Sequence, residues 1–285
     1  PKLTFANNKK VLIVVDNLAK YYSIDIKTGD LLWTKTNSAS FNSQVKIYKD
    51  KFFVIDFENI LRCYSIEDGK ELWNVKTEST FIKSQKKLSL VIIENKIFFN
   101  NSIGDISAVD TNTGNLLWQT PTQSSSIYES SFLLKTSDLV FANNSILLSN
   151  NKNQFFSIDI DNGSLNWQQK INSILRPTVV DKLIFTVSLE GFLVVIDNET
   201  GDIIRMTNVF DGIKKRKKIK TKPSGFILGT NNVYITTNNG LLIVVDTLTG
   251  KSKSILKIDN EKISRPFILN KNLFIIKDNA IIKLS

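Results

Sequence analysis

The sequence predicts an all-β protein, a β-propeller of four-stranded antiparallel blades, on the basis of three observations. A short string ending in a tight turn and a tryptophan recurs along the chain. Each copy follows two apolar runs rich in Ile, Val and Phe that are separated by a polar turn, a pattern typical of strands. No segment shows a helical period. Tandem units of about 40 residues with four strands each are characteristic of propellers.

The turn glycine defines the repeat. Six glycines, spaced 38 to 49 residues apart, each close a short loop after an apolar strand: Gly29, Gly69, Gly114, Gly163, Gly201 and Gly250. All four tryptophans of the chain lie four residues after one of these glycines: Trp33, Trp73, Trp118 and Trp167. Because a catalytic motif is needed only once, we interpret these glycines and tryptophans as structural clasps in which each indole packs on the adjacent blade.

The turns themselves have a structural interpretation. An aspartate precedes the glycine in most copies: Asp25, Asp110, Asp159, Asp197 and Asp246. Aspartate side chains accept hydrogen bonds from nearby backbone N–H groups in turns, and glycine supplies a positive φ. These carboxylates are therefore predicted to cap turns, not to act as acids or bases.

Seven blades are evident from the repeats. One unit reads as an inner strand, a second strand, a third strand, the Asp–Gly turn and an outer strand. The last unit, residues 265–285, supplies only three strands. Propellers commonly close by letting the N-terminus supply the missing strand. We therefore expect a single propeller domain over residues 1–285 that lacks an N-terminal segment. A total of eight blades in the full-length protein is the alternative.

The composition removes several classes of chemistry. Histidine is absent and Cys63 is the single cysteine, so the chain offers no histidine-based catalysis, no intrachain disulfide and no thiol metal cluster. Cys63 lies in an apolar strand pattern and is predicted to be buried. No apolar run reaches the roughly 20 residues of a membrane span. We predict no catalytic, metal or cofactor site and no enzyme activity.

A basic segment, residues 214–222, carries seven positive charges, and the net charge of the chain is +10. Such a run repels itself and is expected to be flexible. It is a candidate contact for an acidic protein or an anionic membrane surface, through Lys214, Lys215, Arg216, Lys217 and Lys218. The alternative is that the segment is a solvated loop without a partner. A nucleic-acid partner is not expected, since the segment lacks interleaved aromatic residues.

The long repeats place their extra residues between one blade's outer strand and the next blade's inner strand. The three longest connections are residues 78–87, 124–136 and 208–223. In a four-stranded meander they emerge on the same face as the turns between second and third strands. This face is the predicted partner surface. The alternative is that the loops lengthened without acquiring a function.

The turn string resembles the PQQ-type propeller repeat, A-x-D-x-x-T-G-x-x-x-W. Ala108, Asp110, Thr113, Gly114 and Trp118 match it at every defined position. Two families dominate this repeat class, the quinoprotein dehydrogenases and the BamB family. The chain length and the C-terminal segment are similar to the BamB family.

Resemblance to the BamB family implies a non-enzymatic scaffold of the outer-membrane β-barrel assembly complex. Such a protein would be a lipoprotein on the periplasmic face of the outer membrane. Its partner would be a BamA-like barrel-assembly subunit, and it could also capture nascent barrel strands at a sheet edge. Leu175 and Arg176, within Ser173–Pro177, are candidate equivalents of the family's partner-binding loop. An ordinary start of a blade, like residues 263–266, is the alternative.

Two other functions stay open at this point. One is a quinoprotein-like or other small-ligand-binding propeller with a pocket at the central axis. The other is a sugar- or peptide-binding sensor domain, which requires exposed aromatic residues at one mouth of the channel.

Overall fold

The computed structural model describes residues 2–77, 86–123, 133–277 and 280–284. Within these ranges the chain forms seven antiparallel sheets, six with four strands and one with three, and one four-residue helix. Neighbouring strands of every sheet are consecutive in the chain, as the repeats predict. No helix in the described ranges is both long and apolar enough to cross a bilayer.

The chain divides into two compact units, and the first comprises residues 1–146 and 158–165. Its first sheet consists of β1 (Leu3–Asn7), β2 (Val11–Asp16), β3 (Lys20–Asp25) and β4 (Leu31–Thr36). Its second sheet consists of β5 (Lys46–Tyr48), β6 (Lys51–Ile55), β7 (Ile60–Ser65) and β8 (Glu71–Lys76). Its third sheet consists of β9 (Leu90–Ile93), β10 (Lys96–Asn100), β11 (Ile106–Asp110) and β12 (Leu116–Thr120).

The fourth sheet has residues in both units and consists of β13 (Val140–Ala142), β14 (Ser145–Asn150), β15 (Gln154–Asp159) and β16 (Leu165–Gln169). The second unit comprises residues 147–157 and 166–285. Its fifth sheet consists of β17 (Thr178–Val180), β18 (Leu183–Val187), β19 (Phe192–Asp197) and β20 (Ile203–Asn208), which helix α1 (Lys215–Lys218) follows.

The sixth sheet consists of β21 (Pro223–Leu228), β22 (Asn232–Thr237), β23 (Leu241–Asp246) and β24 (Ser252–Lys257). The seventh sheet has the three strands that the sequence predicts, β25 (Phe267–Leu269), β26 (Asn272–Lys277) and β27 (Ala280–Leu284).

The hydrophobic core lies between the faces of successive sheets. Strand β6 shows this best, because four consecutive residues, Phe52–Ile55, are fully buried. Phe52 and Val54 pack with residues of the first sheet such as Ile13, while Phe53 and Ile55 pack with residues of the third such as Ile97. Both faces of a middle sheet are therefore covered, which explains why its strands are nearly continuous apolar runs in the sequence.

A β-bulge recurs where the third strand of a sheet pairs with the fourth. Ser23 pairs with Trp33 but Ile24 pairs with Leu31, which leaves Leu32 as an extra residue. The same register shift occurs in the second, third, fifth and sixth sheets. Bulges re-aim the side chains beside them, and this one lies directly before the tryptophan position.

Cys63 is fully buried in β7, as predicted. Desolvation raises the pKa of its thiol to about 12. Because the thiolate is the reactive form, burial makes Cys63 a packing residue in the folded protein.

Candidate functional site

The repeated residues form an interlock between neighbouring sheets. Each tryptophan lies on the fourth strand of one sheet, and its ring covers the turn glycine of the next. A Cβ on that glycine would lie 2.6 to 2.8 Å from the indole, for the pairs Gly69–Trp33, Gly114–Trp73, Gly163–Trp118 and Gly201–Trp167. The φ angles of these four glycines lie between 66° and 79°. Glycine alone accepts both this conformation and the ring above it.

A hydrogen bond fixes the orientation of three of the indoles. The indole Nε1 donates to the backbone carbonyl three residues before the covered glycine: Trp33 to Ile66 at 2.9 Å, Trp118 to Ile160 at 3.1 Å and Trp167 to Asn198 at 3.2 Å. Trp73 Nε1 is buried and has no acceptor among the described residues. The Trp73–Gly114 interlock therefore depends on packing.

A phenylalanine of the same sheet supports three of the rings. The centroids are 5.7 Å apart for Phe53–Trp73 and for Phe98–Trp118, and 5.8 Å apart for Phe155–Trp167. In the third sheet Phe98, Ala108 and Trp118 pair across three adjacent strands. The interlock is therefore a row of side chains that begins inside one sheet and ends on the turn of the next.

The fifth sheet carries an arginine at the tryptophan position. Arg205 pairs with Val195 in the register that Trp118 and Ala108 have in the third sheet. Arg205 Nη2 donates to the Thr247 carbonyl at 2.8 Å, and Nη1 donates to the Leu248 carbonyl. Thr247 lies three residues before Gly250, so the guanidinium reproduces the hydrogen bond of the indole but not its ring.

The aspartates cap the turns, as the sequence predicts. Asp110 Oδ1 accepts the N–H of Asn112 at 2.8 Å and that of Thr113 at 2.9 Å. The pKa of Asp110 is lowered, first by the backbone hydrogen bond from Thr113. The pKa values of Asp25 and Asp197 are also lowered, first by backbone hydrogen bonds from Thr28 and Thr200. The pKa of Asp246 is lowered first by the side-chain hydrogen bond from Lys253 and then by the backbone N–H of Thr249.

The described residues lack an acidic cluster that could hold calcium for a quinone cofactor of the kind that quinoprotein dehydrogenases use. In the part of the chain that the structure describes, no three Cys, Asp or Glu side chains lie together as a possible metal site. The sequence has one cysteine, so the vicinal disulfide of many such enzymes cannot form.

The basic segment contains one turn of helix and is hydrogen-bonded at its end to a neighbouring turn. Lys215–Lys218 form α1, and Lys214, Lys215, Arg216 and Lys217 are exposed, while Lys218 is half-buried and pairs with Asp211 at 2.9 Å. The flexibility of the run stays a prediction, and the hydrogen bonds to the neighbouring turn involve only its last residues. Asn238 Oδ1 accepts the Lys222 N–H at 2.7 Å, and Asn239 Nδ2 donates to Thr221 Oγ1 at 2.9 Å.

The same contacts place the segment within its sheet. Asn238 and Asn239 form the turn between β22 and β23, which are the second and third strands of the sixth sheet. The basic segment therefore lies on the face that the topology predicts for the long connections. Most of the other two, residues 78–85 and 124–132, lies outside the described residues.

The structure separates the two residues of the other candidate partner site. Leu175 is 8% exposed and belongs to the core between the fifth and sixth sheets, whereas Arg176 is exposed. As placed here, Leu175 cannot offer its side chain to a partner. Pro177 directly precedes β17, as Pro266 precedes β25. This favours the alternative interpretation, an ordinary start of a blade.

Sequence reasoning missed a set of serines beside the inner strands. Ser43 Oγ accepts the Ile55 N–H at 2.7 Å, and Ser264 Oγ accepts the Ile276 N–H at 2.6 Å. Ser89 Oγ accepts the N–H of Leu139 at 3.0 Å and so links the third sheet to the segment before the fourth. A serine before the first strand of several sheets is a weak signal in one sequence, since serine is common in loops.

Antiparallel sheets joined by tryptophan–glycine interlocks define a β-propeller of the PQQ-repeat class. A family model described as "Outer membrane protein assembly factor BamB" matches residues 3–207, and the chain belongs to this family. The predicted fold class and the predicted family are both confirmed. No curated protein matches the sequence.

Solved structures show the same fold. BamB from Moraxella catarrhalis has a TM-score of 0.79 at 14% identity, covering 99% of this chain and 83% of that one. Quinohemoprotein alcohol dehydrogenase from Comamonas testosteroni has a TM-score of 0.70 at 14% identity, covering 95% and 63%. A europium-containing methanol dehydrogenase has a TM-score of 0.68 at 13% identity, covering 95% and 73%. Likeness at such low identity establishes the fold alone.

Acid is expected to weaken the turn that Asp110 caps. Its lowered folded-state pKa means that its stabilising contribution is complete above the unfolded value of about 3.9 and is lost as the pH falls through the folded value. Asp110→Asn keeps the acceptor and removes the charge. We expect its melting temperature, followed by circular dichroism, to lie below wild type at pH 7, and we expect this gap to narrow as the pH is lowered to 2.5.

Asp110→Ala serves as the control, because it removes the acceptor as well as the charge. Its melting temperature should stay below wild type at both pH values. A constant difference in melting temperature between wild type and Asp110→Asn at all pH values would show that the charge does not contribute to stability.

Proposed function

We propose that this protein is a non-enzymatic scaffold in the assembly of outer-membrane β-barrel proteins. The observation that carries the proposal is the match of residues 3–207 to the family of BamB assembly factors. In this role the full-length protein is a lipoprotein that acts on the periplasmic face of the outer membrane. Its partner is the barrel-assembly subunit of the BamA type.

The use of the repeated residues supports a scaffold. The four tryptophans and the glycines beneath them are occupied by packing between sheets. The repeated aspartates are occupied by turn capping. What the repeats build is a rigid support, and in such proteins binding residues lie on the loops.

The basic segment is the best described candidate for the partner surface. Four of its cations, Lys214, Lys215, Arg216 and Lys217, are exposed. The backbone of its last residues, Lys220 and Lys222, is hydrogen-bonded to Asn238 of the β22–β23 turn. This anchor shortens the free part of the segment, so ordering it on binding costs less entropy than ordering a longer free loop. A held cluster of positive charge attracts an acidic protein surface and speeds association.

The edges of the outer strands offer a route for capturing nascent barrel strands. The fourth strand ends each four-stranded sheet, and its outer edge pairs with no other strand of the described residues. These strands carry exposed aliphatic side chains, among them Leu31 and Leu32 on β4, Leu116 and Leu117 on β12, and Ile203 and Ile204 on β20. An extended apolar peptide can add to such an edge through backbone hydrogen bonds.

Removing charge from the basic segment tests the partner surface. Changing Lys214, Lys215, Arg216 and Lys217 together to Gln keeps good helix formers and removes four charges. We expect about tenfold or greater loss of affinity for the barrel-assembly subunit of the same organism, measured by surface plasmon resonance in low salt. The wild-type affinity should fall as salt is raised.

The matched control changes Lys10, Lys27, Lys182 and Lys251 to Gln. These exposed lysines lie in turns between first and second or third and fourth strands, away from the long connections. Equal affinities of the two variants would contradict the partner surface. Loss of binding to vesicles with anionic lipids, with subunit binding unchanged, would assign the segment to the membrane instead.

Charged substitutions at an outer edge test strand capture. Leu116→Lys with Leu117→Lys places two charges on β12, which is a natural protection against edge pairing. We expect a several-fold loss of affinity for a fluorescent peptide with the alternating pattern of a barrel strand, measured by anisotropy. The control is Leu18→Lys, at a turn residue that is 62% exposed. Equal binding by both variants would exclude the β12 edge.

The likeness to two dehydrogenases supports a second candidate, a small-ligand-binding propeller of the quinoprotein type. Titration with PQQ and calcium separates the two candidates. A calcium-dependent change in quinone absorbance would favour the second candidate, and the scaffold proposal expects none.

A further inference from the structure

The site where Arg205 replaces the interlock tryptophan contains a cavity of about 590 Å³. It lies between the fifth and sixth sheets of the second unit. The buried Phe185 and Val195 line its inner part, and the exposed Val180, Ile204 and Leu248 line its mouth. Ligand pockets commonly measure about 300–1,000 Å³ and are mostly apolar with a few placed polar groups. Size and lining are therefore those of a ligand pocket.

The repeat shows what this space would otherwise hold. Phe185, Val195 and Arg205 pair across three adjacent strands, as Phe98, Ala108 and Trp118 do in the third sheet. There the phenylalanine packs against an indole whose centroid is 5.7 Å away. In the fifth sheet the narrow arginine chain takes the place of the indole, so Phe185 faces a space that a flat ring occupies elsewhere.

Polar groups at the site favour a ring with one hydrogen-bonding group. Thr247 and Arg205 both border the cavity, and Thr247 Oγ1 and Arg205 Nε are buried without a partner among the described residues. A rotation of the Thr247 side chain would bring its buried Oγ1 within reach of a ligand N–H or hydroxyl group. The guanidinium, held by the Thr247 and Leu248 carbonyls, also presents a planar cation, and arginine stacks well on aromatic faces.

We infer that this cavity is a binding site for a small, flat aromatic compound that carries one N–H or hydroxyl group, such as an indole or a phenol. The ring stacks on Phe185 beside the Arg205 guanidinium and restores the row of side chains seen in the other sheets. The site shares β20 with one of the outer edges, because Ile204 lies at its mouth, but it is separate from the basic segment and from the β12 edge that test the scaffold role.

Titration of the whole chain with indole, followed by isothermal calorimetry and ligand-observed NMR, tests the site. We expect one saturable site with a dissociation constant of the order of 0.1–1 mM, as befits a ligand of so few atoms. Phenol should bind, and cyclohexanol, which has the same size and hydroxyl group but no flat ring, should bind at least about tenfold more weakly.

Arg205→Trp supplies the ring from the chain itself and is expected to abolish indole binding. Its matched control is Ser254→Trp, which places a tryptophan at the equivalent position of the sixth sheet, outside the cavity lining, and should leave binding unchanged. If Arg205→Trp does not fold, Phe185→Leu removes only the stacking ring and should weaken binding at least about threefold.

Three outcomes would overturn the inference. They are no saturable binding of indole to the wild-type protein, unchanged binding to a folded Arg205→Trp, and unchanged binding to Phe185→Leu. None of them bears on the partner surface, whose test uses other residues and another ligand.

Discussion

The contact between an indole ring and a turn glycine of the next sheet is the constraint on which the rest of the structure depends. It requires a glycine with positive φ, because a side chain there would be strained and would collide with the ring. It requires the β-bulge that aims the tryptophan out of its own sheet. It also requires the capped turn that holds the glycine in place. These requirements explain why the same string of residues recurs along the sequence.

Much of the fold could be predicted because its determinants are local and repeated. The strand order within each sheet, the three-stranded last sheet, the buried Cys63 and the capping aspartates all follow from patterns of a few residues. The β-bulges could not be predicted, because no residue type marks them. The anchors of the last residues of the basic segment, Asn238 and Asn239, could not be predicted either, since they lie in a turn of another hairpin.

Among the candidate partner residues, too, local sequence patterns did not reveal contacts with other sheets. Leu175 looked like a loop residue in the sequence, and its burial follows from packing between two sheets that a single sequence does not show. In the sequence, Arg205 differs from other residues only in that it stands where four of the repeats have a tryptophan. Its role does not follow from the sequence, because the two carbonyls that it binds belong to the following sheet. The two proposed binding sites therefore lie where the repeat is interrupted, at Arg205, and where it is extended, in the basic segment.

The tryptophan–glycine contact can be measured directly by substituting two glycines that share a conformation but differ in their surroundings. Gly29 has a φ of 79°, and a Cβ on it would meet nothing within 4 Å, whereas a Cβ on Gly114 would lie 2.8 Å from Trp73. Gly29→Ala should cost about 1 kcal/mol of unfolding free energy through its backbone alone. Gly114→Ala should cost at least about 1.5 kcal/mol more.

The excess should disappear when Gly114→Ala is made in a Trp73→Ala background, because the ring is then gone. Urea denaturation of the four variants and the wild type gives these values. Equal costs for the two glycines, or an excess that persists without Trp73, would contradict the account.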